Sequence, residues 1–136
     1  MIDCYIALGS NLATPNRQIR TAIKHLKNLP HSHVIQVAPF YCNPAIGLKN
    51  QPKFINTVVH IKTRIMPLNL LALCQKIEKY QGRVRKRRWG ARKIDVDLII
   101  YGEKSMHHPK LTLPHPRYRE RDFVRIPLSY LDWTLI

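Results

Sequence analysis

Residues 54–63 read Phe-Ile-Asn-Thr-Val-Val-His-Ile-Lys-Thr (FINTVVHIKT). Ile55, Thr57, Val59 and Ile61 fall on one face of an extended chain, and Phe54, Asn56, Val58 and His60 on the other, which is the period-2 signature of a strand. After it, Pro67 opens a segment in which Leu70, Leu71, Cys74 and Ile77 form an apolar stripe at helical spacing. Tyr80-Gln81-Gly82 ends that helix, with Gly82 suited to a C-terminal cap. Before it lie a turn-rich loop, residues 43–52, and a second expected strand, His33 to Tyr41.

The same pattern extends to the start of the chain. Cys4 to Leu8 reads as a buried strand stopped by Gly9-Ser10-Asn11. Thr14-Pro15 is a helix start, a capping hydroxyl followed by proline at the first helical position. Ile19, Ala22, Ile23, Leu26 and Leu29 then recur at helical spacing up to Pro30. Beyond the second helix comes the strand Ile94 to Ile100, then residues 103–122, read as mostly loop, and Phe123 to Leu128, read as a short extended piece. Strand, helix, strand, strand, helix, strand is the order of a ferredoxin-like α+β fold, an antiparallel sheet backed by helices in an α/β/α sandwich.

The length of 136 residues suits one domain with a real core, and 45% hydrophobic content argues against disorder. No apolar run has the length of a membrane span, and Asp3 interrupts any signal-peptide pattern, so a cytoplasmic or organelle-matrix chain is expected. Cys4, Cys42 and Cys74 are far apart and form no CxxC pair, so they read as reduced core or near-core thiols. Charge is the outlier: 23 Lys and Arg stand against 8 Asp and Glu, a formal +15. Such a field attracts polyanions, whether nucleic acid or phosphorylated small molecules, unless it is merely a solvated basic surface.

Two of the few acids, Asp95 and Asp97, lie within the strand 94–100 and share a face. Side by side they repel, so a cation belongs between them: Mg²⁺, which prefers oxygen ligands and substrate phosphates, or the nearby arginines in a salt bridge. Arg83, Arg85, Arg87, Arg88 and Arg92 surround Trp89-Gly90 just upstream. That cluster fits a polyphosphate clamp, a nucleic-acid loop with an aromatic for stacking, or a solvated loop. Asn56, beside Phe54 in an apolar strand, is either an amide satisfied by backbone or equipment for a flat heterocycle. Gln75 and Glu78 share a polar edge of the second helix, as a solvent face would. His115 sits between Pro114 and Pro116, either structural or a stiffly held donor.

Seven stretches together resemble the 6-hydroxymethyl-7,8-dihydropterin pyrophosphokinase family. They are YIALGSNL (5–12), FYCNPAIG (40–47), QPKFINTVV (51–59), QKIEKYQGRVR (75–85), RWGARKIDVDLIIYG (88–102), LTLPHPR (111–117) and RDFVRIPL (121–128). The resemblance implies transfer of diphosphate from ATP to the hydroxymethyl oxygen of the pterin, leaving AMP, in folate biosynthesis. It implies Asp95 and Asp97 as ligands of two Mg²⁺ ions, and Arg83 and Arg92 as catalytic arginines. It implies ATP contacts from Leu71, Gln75, Glu78, Arg85, Arg88, Trp89, Leu98, Lys110, Thr112, His115 and Arg121. It implies pterin contacts from Gly9, Asn43, Pro44, Ile46, Phe54, Asn56, Trp89 and Phe123, with Trp89 on a mobile loop that closes over the pocket. A cytoplasmic monomer with no membrane partner and no specific nucleic acid is expected. Asn43 stands where the family usually has Thr, and Ala91 where it usually has Pro, which should loosen that loop. A single domain spanning 1–136, shortened at the C-terminus relative to the family, completes the expectation.

Overall fold

In the computed structural model, which describes residues 1–11, 14–43, 53–82 and 94–136, the chain builds a five-stranded antiparallel sheet. Its strands are β1 (Ile2–Ser10), β2 (Ser32–Val37), β3 (Tyr41–Asn43), β4 (Phe54–Thr63) and β5 (Asp95–Tyr101). Helix α1 (Pro15–Lys27) follows β1, and helix α2 (Pro67–Gly82) follows β4. A hairpin, β6 (Met106–His108) and β7 (Leu111–Leu113), precedes a third helix, α3 (Asp122–Leu131). The sheet order is β2-β4-β1-β5, with β3 beside the other end of β4, which is the split βαβ arrangement expected of the ferredoxin-like order.

Strand alternation divides the interior in two. Cys4, Ile6 and Leu8 of β1, Val59 and Ile61 of β4, and Val96 and Leu98 of β5 face α1 and α2. There they meet Ile19, Ala22, Ile23 and Leu26 of α1 and Leu70, Cys74 and Ile77 of α2. Each Leu or Ile fully buried in this layer stabilises the fold by roughly 1.5–3 kcal/mol relative to exposure. On the opposite face, Tyr5, Ala7, Val58, Ile99 and Ile100 meet Val124 and Leu128 of α3, together with Tyr118. The Tyr118 hydroxyl donates to the Leu135 carbonyl at 2.6 Å, which ties the last turn of the chain to this layer.

Several local expectations are corrected. The first strand does not stop at Gly9: Gly9 and Ser10 pair with Asn56 and Ile55, and Ser10 is buried. Thr14 does not supply a capping hydroxyl, because its left-handed backbone (φ 60°, ψ 48°) departs from the extended conformation a side-chain cap needs. The single strand expected over 33–41 is two, β2 and β3, separated at Ala38-Pro39-Phe40. Pro39 has no N–H for a ladder. The break is pinned by the Ala38 amide donating to the Val58 carbonyl at 3.0 Å and by the Thr57 hydroxyl donating to the Ala38 carbonyl at 2.8 Å.

Two further corrections fall after β5. The segment expected to be mostly loop contains β6 and β7, whose three residues each are too few for alternation to announce them. Phe123 to Leu128 is helical, not extended. Pro127 removes one helical hydrogen bond, and β-branched Val124 and Ile126 favour strands locally. The helix forms because Val124, Pro127 and Leu128 recur at helical spacing and all become buried. No helix among the described residues is long and apolar enough to cross a membrane.

The thiols also divide. Cys4 and Cys74 are fully buried in the helix-side core, and burial, reinforced by Asp3 for Cys4 and by Glu78 for Cys74, pushes both up to about 12. Cys42, on β3, is exposed rather than core or near-core. Ellman's reagent on the native protein is expected to titrate Cys42 quickly and the other two only after denaturation. Rapid reaction of all three would contradict this packing.

Candidate active site

The candidate site begins as a row across the sheet. In the ladder, Asp95 of β5 stands opposite Gly9 of β1, and Gly9 stands opposite Asn56 of β4. Directly opposed residues point to the same face. The neighbouring row is Asp97, Ala7 and Val58. Both rows face α3, and the smallness of Gly9 and Ala7 leaves a hollow above the middle of the sheet. A Cβ at Gly9 would stand 2.6 Å from the Asn56 Oδ1, so glycine is what lets the amide lie across this floor.

The hollow is a pocket of about 250 Å³. Phe54 lines it from the start of β4, and Phe123 and Val124 from the first turn of α3, with Arg121 just before that helix. The Arg121 guanidinium lies 5.9 Å from the centre of the Phe123 ring. Asn56 is buried on the pocket floor, and its Nδ2 has no hydrogen-bond partner among the described residues. An unmade bond of this kind costs about 1–3 kcal/mol, so the site invites a ligand acceptor between two aromatic rings.

Asp95 and Asp97 are held at one end of the pocket by three features of β5. Val96, between them, is buried on the helix side, which forces both carboxylates to the other face. The Val96 amide donates to Glu78 Oε2 of α2 at 2.8 Å, so the edge of the strand is anchored where the acids leave it. A bulge follows: Tyr5 pairs with Ile100 and Ile6 with Leu98, leaving Ile99 as an extra residue whose carbonyl accepts the His115 N–H at 2.8 Å. Asp97 has no ion pair among the described residues. No group of three or more His, Cys, Asp or Glu able to hold a metal occurs among them either. Two carboxylates alone fit a hard cation that takes its remaining ligands from water and phosphate.

His115 Nδ1 accepts from the Arg117 amide at 3.3 Å, which leaves Nε2 as the protonated nitrogen of the neutral ring. Burial and the Arg121 guanidinium hold His115 below the usual histidine range, against the opposing pull of Asp97.

The other candidates spread more widely. Leu71 is half-buried and Gln75 exposed on α2. Leu98 is buried on the helix side, so its side chain faces away from the pocket. Lys110 lies in the exposed β6–β7 turn and Thr112 in β7. Asn43 pairs through its backbone with Phe54. Pro44, Ile46, Arg83, Arg85, Arg88, Trp89, Ala91 and Arg92 lie outside the described residues. Ala7, Leu8 and Val124 line the pocket without having been candidates. The alternation of Ala7 and Gly9 in an otherwise bulky strand is their only sequence signal, and it means a hollow only once the register is known.

The sequence profile of 7,8-dihydro-6-hydroxymethylpterin-pyrophosphokinase matches residues 5–132. A Haemophilus influenzae protein named 2-amino-4-hydroxy-6-hydroxymethyldihydropteridine pyrophosphokinase is 44% identical over all 136 residues, which span 85% of its length. A Pseudomonas aeruginosa protein of the same name is 42% identical over 93% of this chain and 78% of its own. The Schizosaccharomyces pombe folic acid synthesis protein fol1 is 38% identical over 97% of this chain, which corresponds to 18% of that longer protein.

The electrostatics around His115 are measurable without ligand. Its titration, followed by NMR, is expected at lower pH than that of a free histidine. Asp97→Asn should move it lower still and Arg121→Gln should move it up, since the carboxylate raises it and the guanidinium lowers it. With a folded pKa below the unfolded one, this group's contribution to stability is fully present above the unfolded value and is lost as pH falls from there through the folded value. A shift upward in Asp97→Asn would contradict the placement.

Proposed function

This chain belongs to the 7,8-dihydro-6-hydroxymethylpterin-pyrophosphokinase family, and on that premise we propose how its pocket does the family's work. The reaction is transfer of a pyrophosphoryl group from ATP to hydroxymethyldihydropterin, in folate biosynthesis. The hydroxymethyl oxygen bonds to the β-phosphorus as the bridge from the β- to the α-phosphate breaks. AMP leaves with the bridging oxygen, and the hydroxyl proton passes to water.

The pterin lies between Phe54 and Phe123, where a flat ring gains stacking on both faces. Asn56 reads its edge. The observation that carries this reading is the Asn56 Nδ2, buried without a partner among the described residues on the floor of a pocket that both phenylalanines line. Gly9 gives the ring room, and Asn43, Pro44 and Ile46 complete the binding surface in the proposal.

The triphosphate lies toward Asp95 and Asp97, which would hold two Mg²⁺ ions. Bound there, these ions would supply neutralisation of the phosphate charge. Arg121 and the Nε2–H of His115 donate to phosphate oxygens, and a neutral His115 does so without the cost of charging a half-buried ring. Leu71, Gln75, Lys110 and Thr112 extend the nucleotide side, with Leu98 contributing its main chain. Glu78 fixes β5 from behind as well as bordering the nucleotide. Arg85, Arg88 and Trp89 join the ATP site, and Arg83 and Arg92 stabilise charge on the transferred group. These last five rest on the sequence resemblance. The same proposal takes residues 1–136 as a single catalytic domain working as a monomer in the cytoplasm.

Gly9→Ala is expected to displace the Asn56 amide and raise the KM for the pterin about tenfold, the scale of one buried hydrogen bond. The KM for ATP should stay unchanged, and an equal rise in both would count against Asn56 as the pterin reader. Asp97→Ala should lower Mg²⁺-dependent AMP release by about a hundredfold or more, the scale of losing one electrostatic stabiliser. Near-normal turnover with intact circular dichroism would refute the metal assignment.

A further inference from the structure

We propose that the outer face of α1 and α2 is a second binding surface, one that takes the phosphate backbone of single-stranded nucleic acid and stacks a base on Tyr80. ATP binding needs only a few of the chain's 23 Lys and Arg. The described structure shows where others gather.

Helix α1, PNRQIRTAIKHLK, contains no acidic residue. Ile19, Ala22, Ile23 and Leu26 are buried against the sheet, while Arg17, Arg20, Lys24 and Lys27 are all exposed on the other side. Their spacing of three, four and three residues makes a stripe about 15 Å long at 1.5 Å per residue. Lys76 and Lys79 are exposed on α2, which packs on the same face of the sheet. The one acid of α2, Glu78, is half-buried and holds the Val96 amide. The other acids lie on β1, on β5 or beyond it, so these cations meet no exposed carboxylate on their own helices.

Such a stripe costs stability. Arg20 with Lys24 and Lys24 with Lys27 are like-charge neighbours one turn apart, each unfavourable by about 0.2–0.5 kcal/mol, and the fold does not require them. A polyanion would turn the repulsion into attraction. Tyr80 selects the kind of polyanion. It is 69% exposed, and its ring stands edge-on to His25 of α1, centroids 5.3 Å apart at 72°, so it is presented from the seam between the helices. An exposed aromatic set among cations is the combination that tracks single strands without reading sequence. A membrane is the poorer fit, because the apolar side of α1 is spent in the core and none remains to insert. The pocket lies on the other side of the sheet. Of the residues assigned to the nucleotide, Leu71, Gln75 and Glu78 share α2 with this surface, and none of the four α1 cations, Lys76, Lys79 or Tyr80 is among them.

The test uses the full chain with a fluorescein-labelled oligouridylate of about 12 nucleotides, followed by anisotropy across a KCl series. Log affinity should fall against log salt with a slope of about −3 to −4, at −0.7 for each phosphate neutralised. The variant R17Q/R20Q/K24Q/K27Q should flatten that slope by about 3 while keeping full transferase activity. Tyr80→Ala should weaken binding about fivefold or more with the slope unchanged. In the unsubstituted protein, amide shifts on adding the oligonucleotide should concentrate on α1 and the second half of α2, a readout that depends on no variant folding. An unchanged slope in the quadruple variant, shifts confined to the pocket, or displacement of the oligonucleotide by saturating ATP would each overturn the proposal. Tighter binding to phosphatidylglycerol vesicles than to the oligonucleotide at equal salt would also overturn it, in favour of a membrane surface.

Discussion

The ladder that holds β1 between β4 and β5 sets everything else about the site. Because Gly9 is hydrogen-bonded into register with Asn56 on one side and Asp95 on the other, an amide, a gap and a carboxylate lie in a line across one face of the sheet. A slip of one residue in either pairing would turn the partner's side chains to the helix-side core. The two packed layers prevent that slip. Ile6 and Leu8 are committed to α1 and α2, and Tyr5 and Ala7 to the layer beneath α3. The cores thus protect the alignment of the polar groups between them, which links packing energy to the geometry of binding.

β5 carries a second constraint. Its acids must leave the sheet toward α3, yet the strand then has to return bulky residues to both layers. The extra residue at Ile99 reconciles these demands. Both Ile99 and Ile100 serve the α3 side, and Tyr101 turns to the helix side, where its hydroxyl donates to the Ile65 carbonyl at 2.6 Å. The same bulge frees the Ile99 carbonyl to take the His115 amide, which brings a histidine from a later turn to within electrostatic reach of Asp97. Bulges commonly re-aim side chains next to functional sites, and here one draws a distant loop to the carboxylates.

Charge is distributed with equal economy. Asp95 and Asp97 stand together on β5, and the other carboxylates sit mostly beside hydrogen-bond donors, as Asp3 does beside His60 and Asp122 beside Arg125. Every exposed charge on α1 and α2 is basic. The chain therefore has two electrostatic faces separated by a sheet. Among the described residues, one mixes acid and base around a pocket, and the exposed charges of the two helices on the other are cations alone.

By itself the sequence determined the element order through β5 except for the division of 33–41 into β2 and β3, the alternation of β4, the apolar stripes of α1 and α2, and the pairing of Asp95 with Asp97 on one face. Each is a local periodicity, and periodicity survives in one dimension. It could not reveal α3, where Pro127 and branched residues argue against a helix that burial then enforces, nor the break at Pro39, nor β6 and β7, too short to show a pattern. Above all, only the tertiary structure decided that Gly9, Asn56, Phe54 and Phe123 share one hollow with the aspartates. Those residues come from three strands and a helix far apart in the chain, and what joins them is hydrogen-bond register and packing between elements, which no single stretch of sequence contains.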